Sequence, residues 1–340
     1  MQFLKFKSLL PAAALAVLCS CSTFDEEKIT LDGERISVLD GETALQPDYV
    51  PGQVKIVLPA PYTNTAWSQN GGNATHMMGH LSSDSKLKEL WESGFGEGSS
   101  KRDFLIAAPV SAHKAVFTID ADGIVNAFRL DDGRKIWKRR LKPLIKDDIS
   151  TSLKGAGLAV FDKKVYATTG FGAVFALDMV TGKKLWRYDT ELPIRIAPTA
   201  ERGVVFIQTI DNKLIALNGV DGSVLWDYKS PSEETTLVGG ASPAYSPQQD
   251  TIVAAFSNGE LRAFKASTGS PLWSDILVSR KRTNSPANIN AIKANPVIDG
   301  STVYAVGNNN ILVAIDLRSG ARIWDCLLYT SPSPRDTERS

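Results

Sequence analysis

The chain has 340 residues, with 38 Lys and Arg against 37 Asp and Glu, a net charge of +1 at pH 7, and 43% hydrophobic residues. That balance carries no electrostatic footprint for nucleic acid, and the length points to growth by repetition rather than around one deep core. Cysteines stand only at 19, 21 and 326, so a folded domain between them has no disulfide.

In chain order, "MQFLKFKSLLPAAALAVLCSC" places lysines at 5 and 7 ahead of an apolar run from Ser8 to Leu18 and then small residues. This is the pattern of a secretory signal, too short to span a membrane. Leu18-Cys19-Ser20-Cys21 resembles a bacterial lipobox, which implies a signal peptide over 1–20 and a lipid on Cys21. The other reading is an ordinary signal peptide with an incidental cysteine. Residues 21–60 are charged and contain proline, as expected of a tether. His76 and His80 in "HMMGH" have metal-ligand spacing on a helix, but Gly79 and the lack of a third ligand favour a loop pair, and no metal site is expected. His113 falls in a predicted turn, and "GFGEGSS" at 94–100 reads as a loop, without the strand–loop–helix context of a phosphate site.

From residue 107 one pattern recurs. "VNAFRLDDGRKIW" (125–137), "VFALDMVTGKKLW" (174–186), "LIALNGVDGSVLW" (214–226), "LRAFKASTGSPLW" (261–273) and "LVAIDLRSGARIW" (312–324) each read as two β-prone runs split by a turn that contains glycine. The tryptophans at 137, 186, 226, 273 and 324 lie 49, 40, 47 and 51 residues apart, in the range of roughly 40–50 expected for propeller blades. Between them recurs a second hairpin, as in "AAPVSAHKAVFTIDADGIV" from Ala107 and "ANPVIDGSTVYAVGNNNIL" from Ala294, with a proline near the strand start. Each unit therefore supplies four strands. No helical periodicity follows residue 60, so the domain, 61–325, is expected to be all-β. Trp137, Trp186, Trp226, Trp273 and Trp324 are expected to wedge between adjacent blades, because a lone hairpin cannot cover so large a ring.

"ALDMVTGKKLW", with its A-x-D-x-x-T-G-x-x-x-W form, resembles the repeat of the quinoprotein-like β-propellers. That superfamily holds pyrroloquinoline-quinone (PQQ) dehydrogenases and the BamB family, the propeller lipoproteins of the outer-membrane β-barrel assembly machinery. The resemblance covers Trp91–Trp324. It implies eight four-stranded blades in a full protein, of which about five are present here. Asn64–Leu81 resembles an N-terminal segment of alphaproteobacterial BamB members, and the same resemblance makes Trp91 open the strand that completes the last blade. Ser22 after the lipidated cysteine implies transfer to the outer membrane, facing the periplasm.

The resemblance also implies partners: the periplasmic domains of the large barrel-forming subunit, unfolded outer-membrane proteins, and the membrane through the lipid alone. The family's contact loop, of the form L-x-L-R-G-x-S-A-P, is matched by "TTLVGGASP" at 235–243, where Leu237, Gly239 and Ser242–Pro243 fit but Val238 replaces the arginine. A second loop, acidic in the family, is matched by "NINAIKANPV", with Ala291 and Lys293 at the acidic positions. Leu237, Val238, Gly239, Ala291, Ile292 and Lys293 thus form the expected partner patch, of a more apolar kind. The competing reading is a PQQ-dependent oxidoreductase, but no adjacent cysteine pair, Ca²⁺-ligand set, G-x-S-x-G, P-loop or H-E-x-x-H is present, so no catalytic residue and no cofactor is expected.

After Trp324-Asp325 the text changes to "CLLYTSPSPRDTERS", without the repeat pattern. Cys326–Asp336 resembles translated sequencing adapter, so 326–340 is expected to be a non-native tail following a truncated propeller. A natural tail is the alternative.

Overall fold

The repeat folds as a hairpin because its turn is chemically specified. In "ALDMVTGKKLW" the Asp178 carboxylate accepts from Thr181 N and Thr181 Oγ1, both at 2.7 Å, and from Val180 N at 3.2 Å, while Gly182 N returns to Asp178 O at 2.8 Å. Those bonds hold the Asp178 carboxyl below its usual pKa, the Thr181 side chain contributing most. Asp316 and Ser319 repeat the arrangement.

The computed structural model describes residues 53, 55, 57–84, 86–99, 105–143, 156–232, 239–277 and 290–327. Cys21, the tether up to 52, Leu237, Val238 and the tail beyond 327 lie outside them. Twenty strands form five four-stranded antiparallel sheets. Blade 1 is β1 (Val110–Ala112), β2 (Ala115–Ile119), β3 (Ile124–Arg129) and β4 (Lys135–Arg140). Blade 2 is β5 (Ala156–Phe161), β6 (Lys164–Thr169), β7 (Ala173–Asp178) and β8 (Lys184–Asp189). Blade 3 is β9 (Thr199–Glu201), β10 (Val204–Gln208), β11 (Lys213–Asn218) and β12 (Val224–Lys229). Blade 4 is β13 (Ala244–Ser246), β14 (Thr251–Ala255), β15 (Glu260–Lys265) and β16 (Pro271–Ile276). Blade 5 is β17 (Val297–Asp299), β18 (Thr302–Val306), β19 (Ile311–Asp316) and β20 (Arg322–Leu327), which runs past Asp325. Among the described residues there is no helix, and none that could cross a membrane.

Register explains the spacing of the motif. Ala127, Ala176, Ala216, Ala263 and Ala314 each pair with the tryptophan of their own blade, and a bulge follows each pair. A small residue opposite frees the ring to lean out of the sheet. The first four rings then dock on the next blade. Trp137 Nε1 donates to Met179 O at 2.9 Å, Trp186 to Gly219 O at 3.1 Å, Trp226 to Ala266 O at 2.7 Å and Trp273 to Leu317 O at 2.7 Å. Beneath those four rings lie Gly182, Gly222, Gly269 and Gly320, all at positive φ, and a Cβ on any of them would come within 2.5–2.7 Å of the indole. The turn therefore needs glycine twice over, for its backbone and for the ring above it.

Burial follows this geometry. Phe117 and Val125 pack with Leu158 and Leu177 between blades 1 and 2, and Phe206 with Tyr245 and Phe264 between blades 3 and 4. The core is a series of inter-blade layers, as in other repeat folds.

The sheets are ordered about an axis lined by β1, β5, β9, β13 and β17, each beside the next. Inner strands would present bare backbone there, but residues 67–76 cover them. Trp67 and Ser111 exchange two bonds at 2.8 Å, Val160 N donates to Ser68 O at 2.7 Å, Tyr245 N to Ala74 O at 2.7 Å and Ile298 N to Thr75 O at 2.8 Å. On blade 3 the Gln69 side chain replaces a peptide group, accepting from Ala200 N at 2.9 Å and donating to Ala200 O at 3.4 Å. One N-terminal ribbon thus touches the inner strand of every described blade.

Trp91 differs from its expectation. Residues 86–99 contain no strand, yet the indole sits on blade 1 as the other tryptophans sit on theirs, donating to Leu130 O at 2.7 Å over Gly133. A strand needs a neighbour paired through its backbone, and none of the described strands forms a ladder with this segment. Docking of the ring needs only the slot.

Candidate functional site

The loops that enter the inner strands meet at one end of the axis. Arg195–Pro198 leads into β9, Gly239–Pro243 into β13, and Asn290–Pro296 into β17. Ser242, 1% exposed, ties them together: its Oγ donates to Ala197 O at 3.0 Å and accepts from Asn70 Nδ2 at 3.2 Å, and its backbone N donates to Asn295 Oδ1 at 2.8 Å. The ribbon is anchored beside it, where His76 Nδ1 donates to Pro296 O at 2.7 Å. Burial pushes the His76 pKa below its ordinary 6.5, with the Pro296 bond acting in the opposite sense. His80 bonds to Pro59 O instead, so the two histidines share no ligand position. Among the described residues no cluster of metal-ligating side chains occurs.

Between these loops and the ends of β10 and β14 lies a cavity of about 50 Å³. Of the expected patch it brings together Gly239, Ala291, Ile292 and Lys293. Ala291 and Ile292 are buried, at 6% and 2% exposure, because Ile292 N donates to Phe256 O at 3.3 Å and Asn308 N to Ala291 O at 3.1 Å. Expected in an apolar partner patch, they form walls of the cavity. Arg195, Gln208, Asn212 and Ser257 also line it and were not among the expected residues. Internal alignment offers the signal for two of them. Arg195 and Lys293 both stand three residues before the blade proline, in "RIAP" and "KANP", where the intervening blade has Gly240. Gln208 occupies the strand-end position held by Ile119, Thr168, Ala255 and Val306 in the other blades, by their pairing to the third strand.

A second cavity of about 150 Å³ adjoins the first, sharing Arg195, Ile196, Gly239 and Gly240 and reaching Asn70 of the ribbon. Among the described residues neither lining contains Asp or Glu. Such a site can hold a small polar or anionic group.

Residues 121–336 match the family described as "Outer membrane protein assembly factor BamB". The chain belongs to the BamB family. The match, like β20, runs across Asp325. The BamB of Vibrio cholerae is 32% identical over 237 residues, covering 70% of this chain and 59% of the relative, and that of Moranella endobia is 25% identical over 243 residues, covering 70% and 62%. The chain thus spans about 60% of the length of these BamB relatives. Among solved structures, BamB from Moraxella catarrhalis superposes with a TM-score of 0.58 at 18% identity, over 68% of this chain and 67% of that one. A quinohemoprotein alcohol dehydrogenase from Pseudomonas putida superposes with a TM-score of 0.59, also at 18% identity, over 78% of this chain and 48% of that one. At such identity these two likenesses concern the propeller fold alone.

Proposed function

We propose that the chain is the propeller of a non-catalytic scaffold in outer-membrane protein assembly, held by a lipid on Cys21 to the periplasmic face of the outer membrane. Its partners on this reading are the periplasmic domains of the large barrel-forming subunit and, through it, unfolded outer-membrane proteins. The end of the axis bearing Gly239 and Lys293 is the docking face. Membership of the BamB family is the observation that carries this reading. The filled axis adds support, because residues 67–76 occupy with the chain's own atoms the region where the inner strands converge. The quinone-dependent alternative draws only on the shared fold.

Capture of the barrel-forming subunit's purified periplasmic domains by the immobilised chain tests the scaffold role: retention is expected, and its absence at micromolar concentrations of both would remove it. Lipidation is tested separately, by incorporation of a clickable palmitate analogue that is expected to vanish in Cys21→Ser.

A further inference from the structure

Three polar atoms from one cavity lining are buried without a partner: Arg195 Nε, Gln208 Oε1 and Ser257 Oγ. All three residues line the same cavity of about 50 Å³. The rest of the Gln208 side chain is fixed, since its Nε2 donates to Ala255 O at 3.2 Å across the junction of blades 3 and 4, and the residue is 8% exposed. Gln208 Oε1 is therefore left as an oriented acceptor in a largely apolar wall. An orphaned buried polar atom costs about 1–3 kcal/mol, more for a charged group, so three at one place call for an explanation. The fold does not require a polar side chain here, because the equivalent position to Gln208 is Ile119, Ala255 or Val306 in three other blades and Thr168 in the fourth.

Among the described residues the cavity linings carry basic side chains and no acid. Arg195 and Lys293 approach from neighbouring loops, and among the described residues no carboxylate pairs with Arg195. At Gly240, which stands between the two cations in the repeat, a Cβ would meet Ile196 Cγ2 at 2.9 Å. A ligand that satisfies Arg195 and Gln208 together accepts from a guanidinium N–H and donates to an amide oxygen. A free carboxylate does only the first. An acidic residue within a peptide does both, with its side-chain carboxylate and its backbone N–H.

We propose that this cavity receives an Asp or Glu side chain presented on an extended segment of a protein partner, the carboxylate accepting from Arg195 and a neighbouring backbone N–H donating to Gln208 Oε1. This rests on the docking-face reading above and assigns it a chemistry. Arg195 on the previous blade supplies the cation that Val238 cannot. Ser257, whose hydroxyl donates or accepts, completes the shell.

The test uses the full chain and three probes: a capped, fluorescein-labelled peptide of alternating valine and glutamate, the same peptide with glutamine, and free glutarate. Anisotropy reports the peptides, and the Arg195 Nε–Hε NMR signal reports all three. The glutamate peptide is expected to bind and shift that signal, the glutamine peptide to bind about 10- to 100-fold more weakly, and glutarate to compete poorly. Arg195→Gln should lose the preference for glutamate, and Gln208→Leu should weaken both peptides, with unchanged melting temperatures showing that each variant folds. Equal binding of the two peptides, strong competition by glutarate, or a signal unmoved by any probe, which would leave only bridging water in the cavity, each overturns the proposal. If the periplasmic domains of the barrel-forming subunit are captured equally by wild type and Arg195→Gln, the cavity assignment falls and the scaffold reading stands. If the glutamate peptide binds and those domains do not, the reverse holds.

Discussion

Trp186 and Trp324 occupy the same place in the same motif, opposite Ala176 and Ala314, yet Trp186 is 7% exposed and Trp324 43%. The strands around them do not differ in kind. What differs is the neighbour: Trp186 lies on Gly222 and bonds to Gly219 O, whereas no described residue follows Trp324 with such a turn. Burial in this protein is thus a property of a junction between repeats, and each blade's stability is shared with the next.

The comparison can be broken most severely at its buried member. Trp186→Ala should cost about 3–5 kcal/mol in denaturant unfolding, and Trp324→Ala no more than about 1 kcal/mol; similar losses would mean that the ring stabilises its own blade rather than the junction. Gly222→Ala attacks the junction from the other side. A methyl 2.7 Å from the Trp186 ring, on a backbone at φ +78, should cost about 1–3 kcal/mol, whereas Gly203→Ala, at the same φ with open space around it, should cost less. A smaller effect is expected at the axis. His76 is buried and its folded pKa lies below the unfolded value, so the unfolded chain binds its proton first as pH falls. Stability should therefore be unaffected by His76 above about pH 6.5 and decline below it, levelling off once the folded form is also protonated. His76→Asn, which tolerates the φ of +60 at this site, should flatten that part of the pH profile of the melting temperature.

Blades and junctions were legible because their determinants are local and repeated: a glycine at positive φ closes each turn, and an alanine faces each tryptophan. The axial ribbon was not. Its bonds reach residues 131 and 220 positions away, and "AWSQNGGNATH" has no periodicity to betray an extended path. Gly239 and Ala291–Lys293 were found from two loop positions and do converge, but the burial of Ala291 and Ile292 depends on Phe256 and Asn308, contributed by other hairpins. Arg195 and Gln208 become visible only when the repeats are aligned on one another, because what marks them is departure from their own equivalents.

The ribbon also sets an order of events. Segment 67–76 precedes every blade in the chain, but its contacts to Tyr245, Pro296 and Ile298 cannot form until blades 4 and 5 exist. Closing loops of that length is slow, and a chain made from its N-terminus must hold this segment in waiting while its docking strands are still being synthesised. Blades can assemble pairwise as they emerge; the axis is sealed last, by the part that was made first.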